Sequence, residues 1–376
     1  MKKPFFVLVA MVLLTQTILA QKELPIIKAT STQVVIRDDS PLRKGAWKIV
    51  PEVNPDVYTT SAKKVTFYTD IDSISFTINP NEQYDFVILL NGKDSAYTRI
   101  VWEESNVDIY KTGATYNYSD TRSIPKFTYQ SQDDPNLIRI RKDLHLDSIA
   151  GSGNELSQIF NLMHWVHNLI KHDGNSNNPT LKNAIDLIKV CKAENRGVNC
   201  RMMATVLNEC YLSMGIKSRY ITCMPRETEF DDCHVINMVY SNDLNKWIWI
   251  DPTFDAYVMD DEGNLLGIQE VRERLIHGQP LVLNADANWN RTNLQTKAYY
   301  LEYYMAKNLY RLESPLVSEY NTETKENGKV VSYIELLPLD GIEATVQKSE
   351  QTNDKTGTKI IKYKTNNPDF FWIKPE

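Results

Sequence analysis

The sequence has no excess of positive charge. Its 376 residues include 42 lysines and arginines against 48 aspartates and glutamates, a formal net charge of −6. Proteins that hold nucleic acids neutralise phosphates with a basic surface, so we expect no nucleic-acid partner. Hydrophobic residues make up 42% and charged residues 24% of the chain, which excludes a disordered or collagen-like protein and favours two or three folded domains.

Long hydrophobic runs are missing after the first twenty residues. Lys2 and Lys3 precede an apolar stretch at 5–14, and the segment ends at Ala20-Gln21. This pattern is typical of a secretory signal peptide, because the apolar stretch is shorter than the ~20 residues that span a bilayer. We therefore predict a signal peptide at 1–20, a secreted or periplasmic protein, and no integral membrane segment after cleavage. An uncleaved anchor is the alternative.

The spacings of metal-binding motifs are also absent. The cysteines form no C-x-x-C pair, and no EF-hand loop occurs. His164, His167 and His172 lack the i, i+4 spacing of a zinc site, so we interpret them as surface or partly buried helix residues. The acidic stretch at 260–264 fits an exposed turn. We expect neither a metal nor a cofactor.

Cysteine usage indicates one unusual thiol. All five cysteines fall within 191–233, and an odd number in an exported chain leaves at least one without an internal partner. Cys191, Cys210, Cys223 and Cys233 could form disulfides in an oxidising compartment, but their pairing cannot be read from sequence.

Alternating apolar residues indicate strands in the first part of the chain. They recur in three short segments, 65–67, 74–78 and 84–90, and a tight turn, Asn91-Gly92-Lys93-Asp94, follows. We predict a β-sandwich at 21–105. A polar, turn-rich stretch after it predicts a connecting segment at 106–135.

The remainder, 136–376, mixes helical and strand patterns. Apolar spacing predicts helices at 155–172, at 181–193 with Thr180 as cap, and near 296–310, with strands at 330–337 and 359–363. We find no chemistry in the last eighty residues. The whole pattern predicts an α+β fold with helices packed on an antiparallel sheet.

A cysteine lies at the start of a predicted helix. Asn199 is a suitable N-cap and Gly215 a suitable C′ residue, which puts Cys200 at the first helical position. Unpaired amides and the helix dipole stabilise a thiolate there. The alternative is a buried structural cysteine.

Two strands, 234–240 and 246–251, follow and are joined by the turn 241–244. If Tyr240 pairs with Asn245, His234 stands opposite Asp251, with Cβ atoms roughly 5 Å apart on one face. A slip of one residue would separate them.

These three residues can perform thiol acyl chemistry. Cys200 would attack an acyl carbon, His234 would hold the thiolate and deliver a proton to the leaving amine, and Asp251 would orient the imidazole. The backbone amide of Cys200 is one expected oxyanion donor. The second donor cannot be placed from the sequence.

The motifs of 155–255 resemble those of the transglutaminase-like superfamily of papain-type thiol enzymes. The resemblance rests on the helix begun by Cys200, on Gly215-Ile216-Lys217-Ser218-Arg219-Tyr220, on His234 opening a strand, and on Trp249-Ile250-Asp251-Pro252-Thr253. It departs from the usual pattern in having Val198-Asn199 between Gly197 and Cys200, and Val235-Ile236 after His234. The resemblance implies a transglutaminase-like domain within 136–376 and a catalytic Cys-His-Asp triad.

We therefore expect an exported cysteine peptidase or amidase that acts on peptides or proteins, including peptidoglycan peptides in a periplasm. One alternative is a noncatalytic binding or scaffold protein of the cell envelope with a degenerate domain. Another is an acyltransferase that uses protein glutamine or a small-molecule donor. In an enzyme, His172 could alternatively contact substrate at the rim of the cleft.

Overall fold

Two structural units make up the described part of the chain. The computed structural model describes residues 24–39, 42–113, 115–122, 124–230, 232–339 and 348–376, and the division falls between Glu103 and Glu104. The predicted signal peptide, 1–20, lies outside the described residues. Within them, no helix has the length and apolar character needed to cross a membrane.

The first unit is built from two four-stranded sheets, in the orders β1-β7-β8-β4 and β3-β2-β5-β6. The strands are β1 (Ile26–Ala29), β2 (Gln33–Asp38), β3 (Leu42–Lys48), β4 (Asp56–Thr60), β5 (Lys64–Tyr68), β6 (Ser73–Thr77), β7 (Gln83–Leu90) and β8 (Asp94–Trp102). The alternating residues of the sequence point into a shared core, where Phe67 and Phe86 pack with ring centroids 5.0 Å apart. The predicted β-sandwich is confirmed.

The second unit contains the remaining elements. Its helices are α1 (Asn106–Gly113), α2 (Pro135–Asp143), α3 (Leu146–Ala150), α4 (Glu155–Leu169), α5 (Ala184–Glu194), α6 (Cys200–Ser213), α7 (Ile268–His277), α8 (Lys297–Tyr299), a π-helix (Tyr300–Met305), α9 (Ala306–Asn308) and α10 (Pro368–Phe371). Its strands are β9 (Thr128–Tyr129), β10 (Ser218–Met224), β11 (His234–Ser241), β12 (Lys246–Ile250), β13 (Val258–Met259), β14 (Val282–Leu283), β15 (Asn288–Trp289), β16 (Asn293–Leu294), β17 (Arg311–Pro315), β18 (Val317–Ser318), β19 (Val330–Leu336), β20 (Lys348–Thr352) and β21 (Lys359–Thr365).

A seven-stranded sheet organises this unit, in the order β12-β11-β10-β17-β19-β21-β20. Its neighbours run antiparallel, apart from the parallel pair β19 and β21. Val239 and Ile248 face a core shared with helices α2 to α6, whereas Met238 and Trp249 face a second core. The predicted α+β class, with helices packed on the sheet, is confirmed.

Several predicted element boundaries differ from the structure. Helix α4 ends at Leu169, because Ile170 is extended, and helix α5 begins after Asn183, whose side chain accepts from the Asp186 amide. The segment 106–135, predicted as a connection, carries α1 and β9 and buries Tyr110 and Phe127 in a core of the second unit. The predicted helix at 296–310 consists of short α-helical pieces around a π-helical turn.

The predicted hairpin register is wrong by two residues. Ser241 pairs with Lys246 and Met238 with Trp249, so a longer β12 would place Asp251 opposite Ile236 instead of His234, and the strand itself ends at Ile250. Asn245 has a φ of 52° and belongs to the turn instead of the strand. Because the shift is even, every side chain keeps the face that we predicted for it.

Glu155, the first residue of α4, holds the tip of this hairpin. Its carboxylate accepts from the Ser241 hydroxyl at 2.8 Å, the Asn242 amide side chain at 2.8 Å and the Asp243 backbone N–H at 3.1 Å. The turn is therefore fixed by a residue far away in the sequence.

We expect Glu155→Ala to lower the free energy of unfolding by about 1–2 kcal/mol, since three donors lose a charged acceptor. Urea unfolding measures this change. Glu194→Ala is a matched control: Glu194 is exposed and pairs with Arg196 at the surface, so its loss should cost less than about 0.5 kcal/mol. Equal stability of the two variants would show that the carboxylate does not hold the turn.

Candidate active site

Cys200 is the first residue of α6. The Asn199 side chain accepts from the Met202 backbone N–H at 3.1 Å, which confirms the expected N-cap, and Gly215 follows the helix with a φ of 76°. The residue as a whole is half-buried and packs beside Tyr220 and Val235. Its sulfur therefore lies at the positive end of a helix.

His234 is the first residue of β11, and its ring is almost fully buried. One ring face packs on Phe254 at a centroid distance of 5.5 Å, and Tyr304 lies 5.3 Å away. Nε2 donates to the Asp251 carboxylate at 2.7 Å. The ring also lies close enough to the Cys200 sulfur to lower the pKa of the thiol, and since Nε2 is occupied, Nδ1 is the nitrogen that can face the sulfur.

Asp251 is fully buried just after β12 and has a donor on each carboxylate oxygen. Oδ1 accepts from the Thr253 backbone N–H at 2.8 Å. Oδ2 accepts from His234 and from the Tyr300 hydroxyl at 2.6 Å, and Tyr300 accepts from the Trp249 indole at 3.1 Å. These bonds fix the carboxylate against the imidazole although the sheet register does not pair the two residues.

The electrostatics of the site favour a thiolate beside an imidazolium. Burial acts to raise the pKa of Cys200, but the interactions of its sulfur with His172 and His234 lower that pKa to about 6. Burial acts to lower the pKa of His234, but the Asp251 carboxylate outweighs it and raises that pKa well above the usual value. The two groups therefore stabilise each other's charge around neutral pH.

The other four cysteines differ from Cys200. All five are free thiols, so none of the disulfides considered from the sequence is formed. Burial raises the pKa of Cys191, Cys210 and Cys223, and it raises the pKa of Cys233 to about 11. Only at Cys200 do the surroundings lower the pKa of the thiol.

His172 is the site residue that our sequence analysis treated mainly as a helix position. It lies after the end of α4, where it bridges to Val198 in a parallel arrangement, and its ring contacts the Cys200 sulfur. In the sequence it stands at the end of the predicted helix 155–172, whereas α4 itself ends at Leu169. No local pattern links it to Cys200.

The two remaining histidines of this region have structural partners. His164 bonds through Nδ1 to Asp255 at 2.6 Å, and His167 contacts the carbonyl of Pro252 and the side chain of Asn288. Asp260 accepts from backbone amides of its own turn. Within the described ranges, no group of three or more histidine, cysteine or acidic side chains could hold a metal ion.

One comparison with known protein families covers the region that carries these residues. Residues 142–252, which include Cys200, His234 and Asp251, match the profile of the transglutaminase-like superfamily. No curated protein sequence matches the chain.

Two solved structures are similar over part of the chain. A proposed cysteine protease from Cytophaga hutchinsonii is 16% identical over 60% of this chain and 72% of its own, with a TM-score of 0.26. Red sea bream transglutaminase is 13% identical over 61% of this chain and 49% of its own, with a TM-score of 0.25, so the match spans about half of that enzyme. At these values, neither likeness informs on activity or substrate.

At pH 6.5 we expect iodoacetamide to modify Cys200 about a hundredfold faster than any other thiol of the folded protein, because only Cys200 is substantially ionised there. Peptide mapping by mass spectrometry measures the five rates. His234→Gln should slow modification of Cys200 and move the half-maximal rate to higher pH. Unfolding in urea should make the five rates alike. Equal, slow modification of all five in the folded protein would contradict the ion pair.

Proposed function

Because residues 142–252 form a transglutaminase-like domain, we propose that this chain is an exported cysteine-dependent amide hydrolase with Cys200 as its nucleophile. The observation that carries the proposal is the contact series from the Cys200 sulfur through the His234 ring to the Asp251 carboxylate. A nucleophile beside a base that is hydrogen-bonded to an orienting acid is the arrangement on which thiol acyl chemistry depends.

In the first half-reaction the Cys200 thiolate attacks the carbonyl carbon of an amide. The sulfur–carbon bond forms and the carbonyl electron pair moves to oxygen. The His234 imidazolium then gives the proton on the nitrogen that faces the sulfur to the leaving nitrogen, and the carbon–nitrogen bond breaks. The products are a free amine and a thioester on Cys200.

In the second half-reaction the now neutral His234 takes a proton from water, whose oxygen adds to the thioester carbon. The carbon–sulfur bond breaks, an acid is released, and the thiolate and imidazolium are restored. Asp251 stays hydrogen-bonded to Nε2 and stabilises the charged ring each time it forms. Its bonds to Tyr300 and to the Thr253 amide keep it in place.

Hydrolysis is favoured over transfer to an amine. Water surrounds an exported protein at far higher concentration than any amine, so selective transfer needs a channel that excludes it. Cys200 as a whole is only half-buried. We therefore propose peptide or protein amides as substrates and water as the acceptor, with peptidoglycan peptides included if the protein resides in a periplasm.

The activity is tested by incubating the protein without residues 1–20 with a denatured-protein digest and, separately, with purified peptidoglycan stem peptides. New amino termini or a gain of one water, seen by mass spectrometry, are the expected products. Cys200→Ala should abolish turnover, and His234→Gln and Asp251→Asn should each lower kcat by about 10²–10⁴-fold. Cys233→Ala removes the neighbouring thiol and should retain turnover.

The other possible outcomes separate the alternatives. Products that incorporate added methylamine in preference to water would indicate an acyltransferase. No product from either mixture, together with slow modification of Cys200, would indicate a noncatalytic binding or scaffold protein.

Export is tested with the full chain tagged at its C-terminus and expressed in a bacterium with two membranes. The expected result is a periplasmic or secreted protein whose mass begins near Gln21. Leu13→Arg, which charges the apolar stretch, should leave full-length protein in the cytoplasm, whereas Gln33→Arg, at an exposed position of β2, should not. Full-length wild-type protein in the membrane fraction would indicate an uncleaved anchor instead.

A further inference from the structure

A second imidazole contacts the nucleophile. His172 and His234 come from different parts of the chain, and both lie close enough to the Cys200 sulfur to lower the pKa of the thiol. The acyl mechanism needs only one of them as acid and base. The acid–base steps therefore assign no role to His172.

The backbone of His172 is held against the segment that precedes Cys200. The Asp173 N–H donates to the Val198 carbonyl at 2.8 Å, and the Val198 N–H donates to the Lys171 carbonyl at 3.1 Å. A Cβ atom at Gly197 would lie 2.5 Å from the Lys171 carbonyl oxygen, so a side chain at that position would force the two segments apart. This close approach brings the His172 ring to the sulfur.

The turn between β15 and β16 holds His172 from the other side. The Asn290 side chain accepts from the His172 backbone N–H at 2.7 Å and donates to its carbonyl at 3.0 Å. Asn290 has a φ of 53°, which lets it present its amide in this way. Both backbone polar groups of His172 are thus bound by one side chain.

The neighbouring Trp289 determines where the ring hydrogen of His172 lies. The Trp289 indole N–H donates to Nδ1 at 3.1 Å, so Nδ1 is an acceptor and the hydrogen of the neutral ring is on Nε2. With Nδ1 occupied, Nε2–H is the group that faces the Cys200 sulfur. His172 therefore presents a fixed donor to the nucleophile.

The two imidazoles differ in what lies behind them. The far nitrogen of His234 donates to a carboxylate, which favours a second proton on the ring, as an acid–base group requires. The far nitrogen of His172 accepts from an indole N–H, and a proton there would displace that bond. The first arrangement suits proton transfer, and the second suits donation of one hydrogen bond without transfer.

We propose that His172 is a further catalytic residue, whose Nε2–H stabilises first the Cys200 thiolate and then the oxyanion that forms on the carbon bonded to that sulfur. Together with the Cys200 backbone amide it would complete the pair of oxyanion donors. Trp289 and Asn290 are positioning residues that act through it. The proposal rests on the acyl chemistry proposed for Cys200.

Two small reagents test the proposal without a known substrate. Iodoacetamide alkylates the Cys200 thiolate with displacement of iodide and therefore measures the thiolate alone, whereas p-nitrophenyl acetate acylates Cys200 through an oxyanion and releases p-nitrophenol. At pH 8.5, where the thiolate is well populated, His172→Ala should slow acylation about 10²-fold but alkylation only a few-fold. His172→Gln, which keeps an N–H donor, should restore part of the acylation rate. The pH at which alkylation reaches half of its maximal rate should be higher for His172→Ala than for the wild type.

Trp289→Phe keeps an aromatic ring at this position but removes the indole N–H donor, so we expect the acylation rate to fall about tenfold. Trp372→Phe is the matched control, because within the described residues the Trp372 indole nitrogen has no hydrogen-bond partner; its acylation rate should equal that of the wild type. Unchanged melting temperatures exclude misfolding as the cause.

The outcomes separate the two proposals. If His172→Ala is acylated at the wild-type rate and Cys200→Ala is not acylated, the role of His172 is overturned and the proposed nucleophile stands. An equal loss of acylation and alkylation in His172→Ala would likewise overturn the oxyanion role. Acylation that survives in Cys200→Ala would overturn the proposed function itself.

Discussion

The charge pair between the Cys200 thiolate and the His234 imidazolium is the interaction on which the site depends. Burial disfavours each of these charges when the other is absent, and the attraction between them offsets the free energy of desolvation. The surroundings add to both sides: the amino end of α6 stabilises the anion, and the Asp251 carboxylate stabilises the cation. Phe254 and Tyr304 pack on the His234 ring and limit its rotation, so the pair is held in one arrangement.

The hydrogen-bond partner behind each histidine gives the two rings different chemistry. An imidazole backed by a carboxylate can gain and lose a proton while it stays in place, whereas one backed by an N–H donor is held in a single tautomer. The Cys200 thiol interacts with both rings, and its pKa is lowered to about 6. The same logic explains the inert thiols, because Cys210 and Cys223 are buried without any donor of this kind and have raised pKa values.

Local patterns in the sequence were enough to single out Cys200, His234 and Asp251 as candidates, but not to fix their geometry or to place His172 beside them. The Asn199 cap and the alternation along β11 and β12 depend on near neighbours, and the structure has the cap, the strands and the predicted faces. The hairpin register depends on Glu155, and the place of His172 depends on Trp289 and Asn290, each more than eighty residues away in the chain. Contacts between residues so far apart in the chain leave no periodic pattern in the sequence. The predicted register was wrong, yet His234 and Asp251 meet, because the chain after β12 brings the Asp251 carboxylate back to the His234 ring.

The supports of the site lie largely outside the part that matches the superfamily. Cys200, His234 and Asp251 fall within 142–252, whereas Trp289, Asn290, Tyr300 and Tyr304 follow it. We saw no chemistry in the last eighty residues because aromatic side chains at helical spacing are indistinguishable from core residues in a sequence. The π-helical turn at Tyr300–Met305 instead sends the Tyr300 hydroxyl to Asp251 and the Tyr304 ring to His234. Residues that contact Asp251, His234 and His172 therefore come from this chain's own C-terminal part.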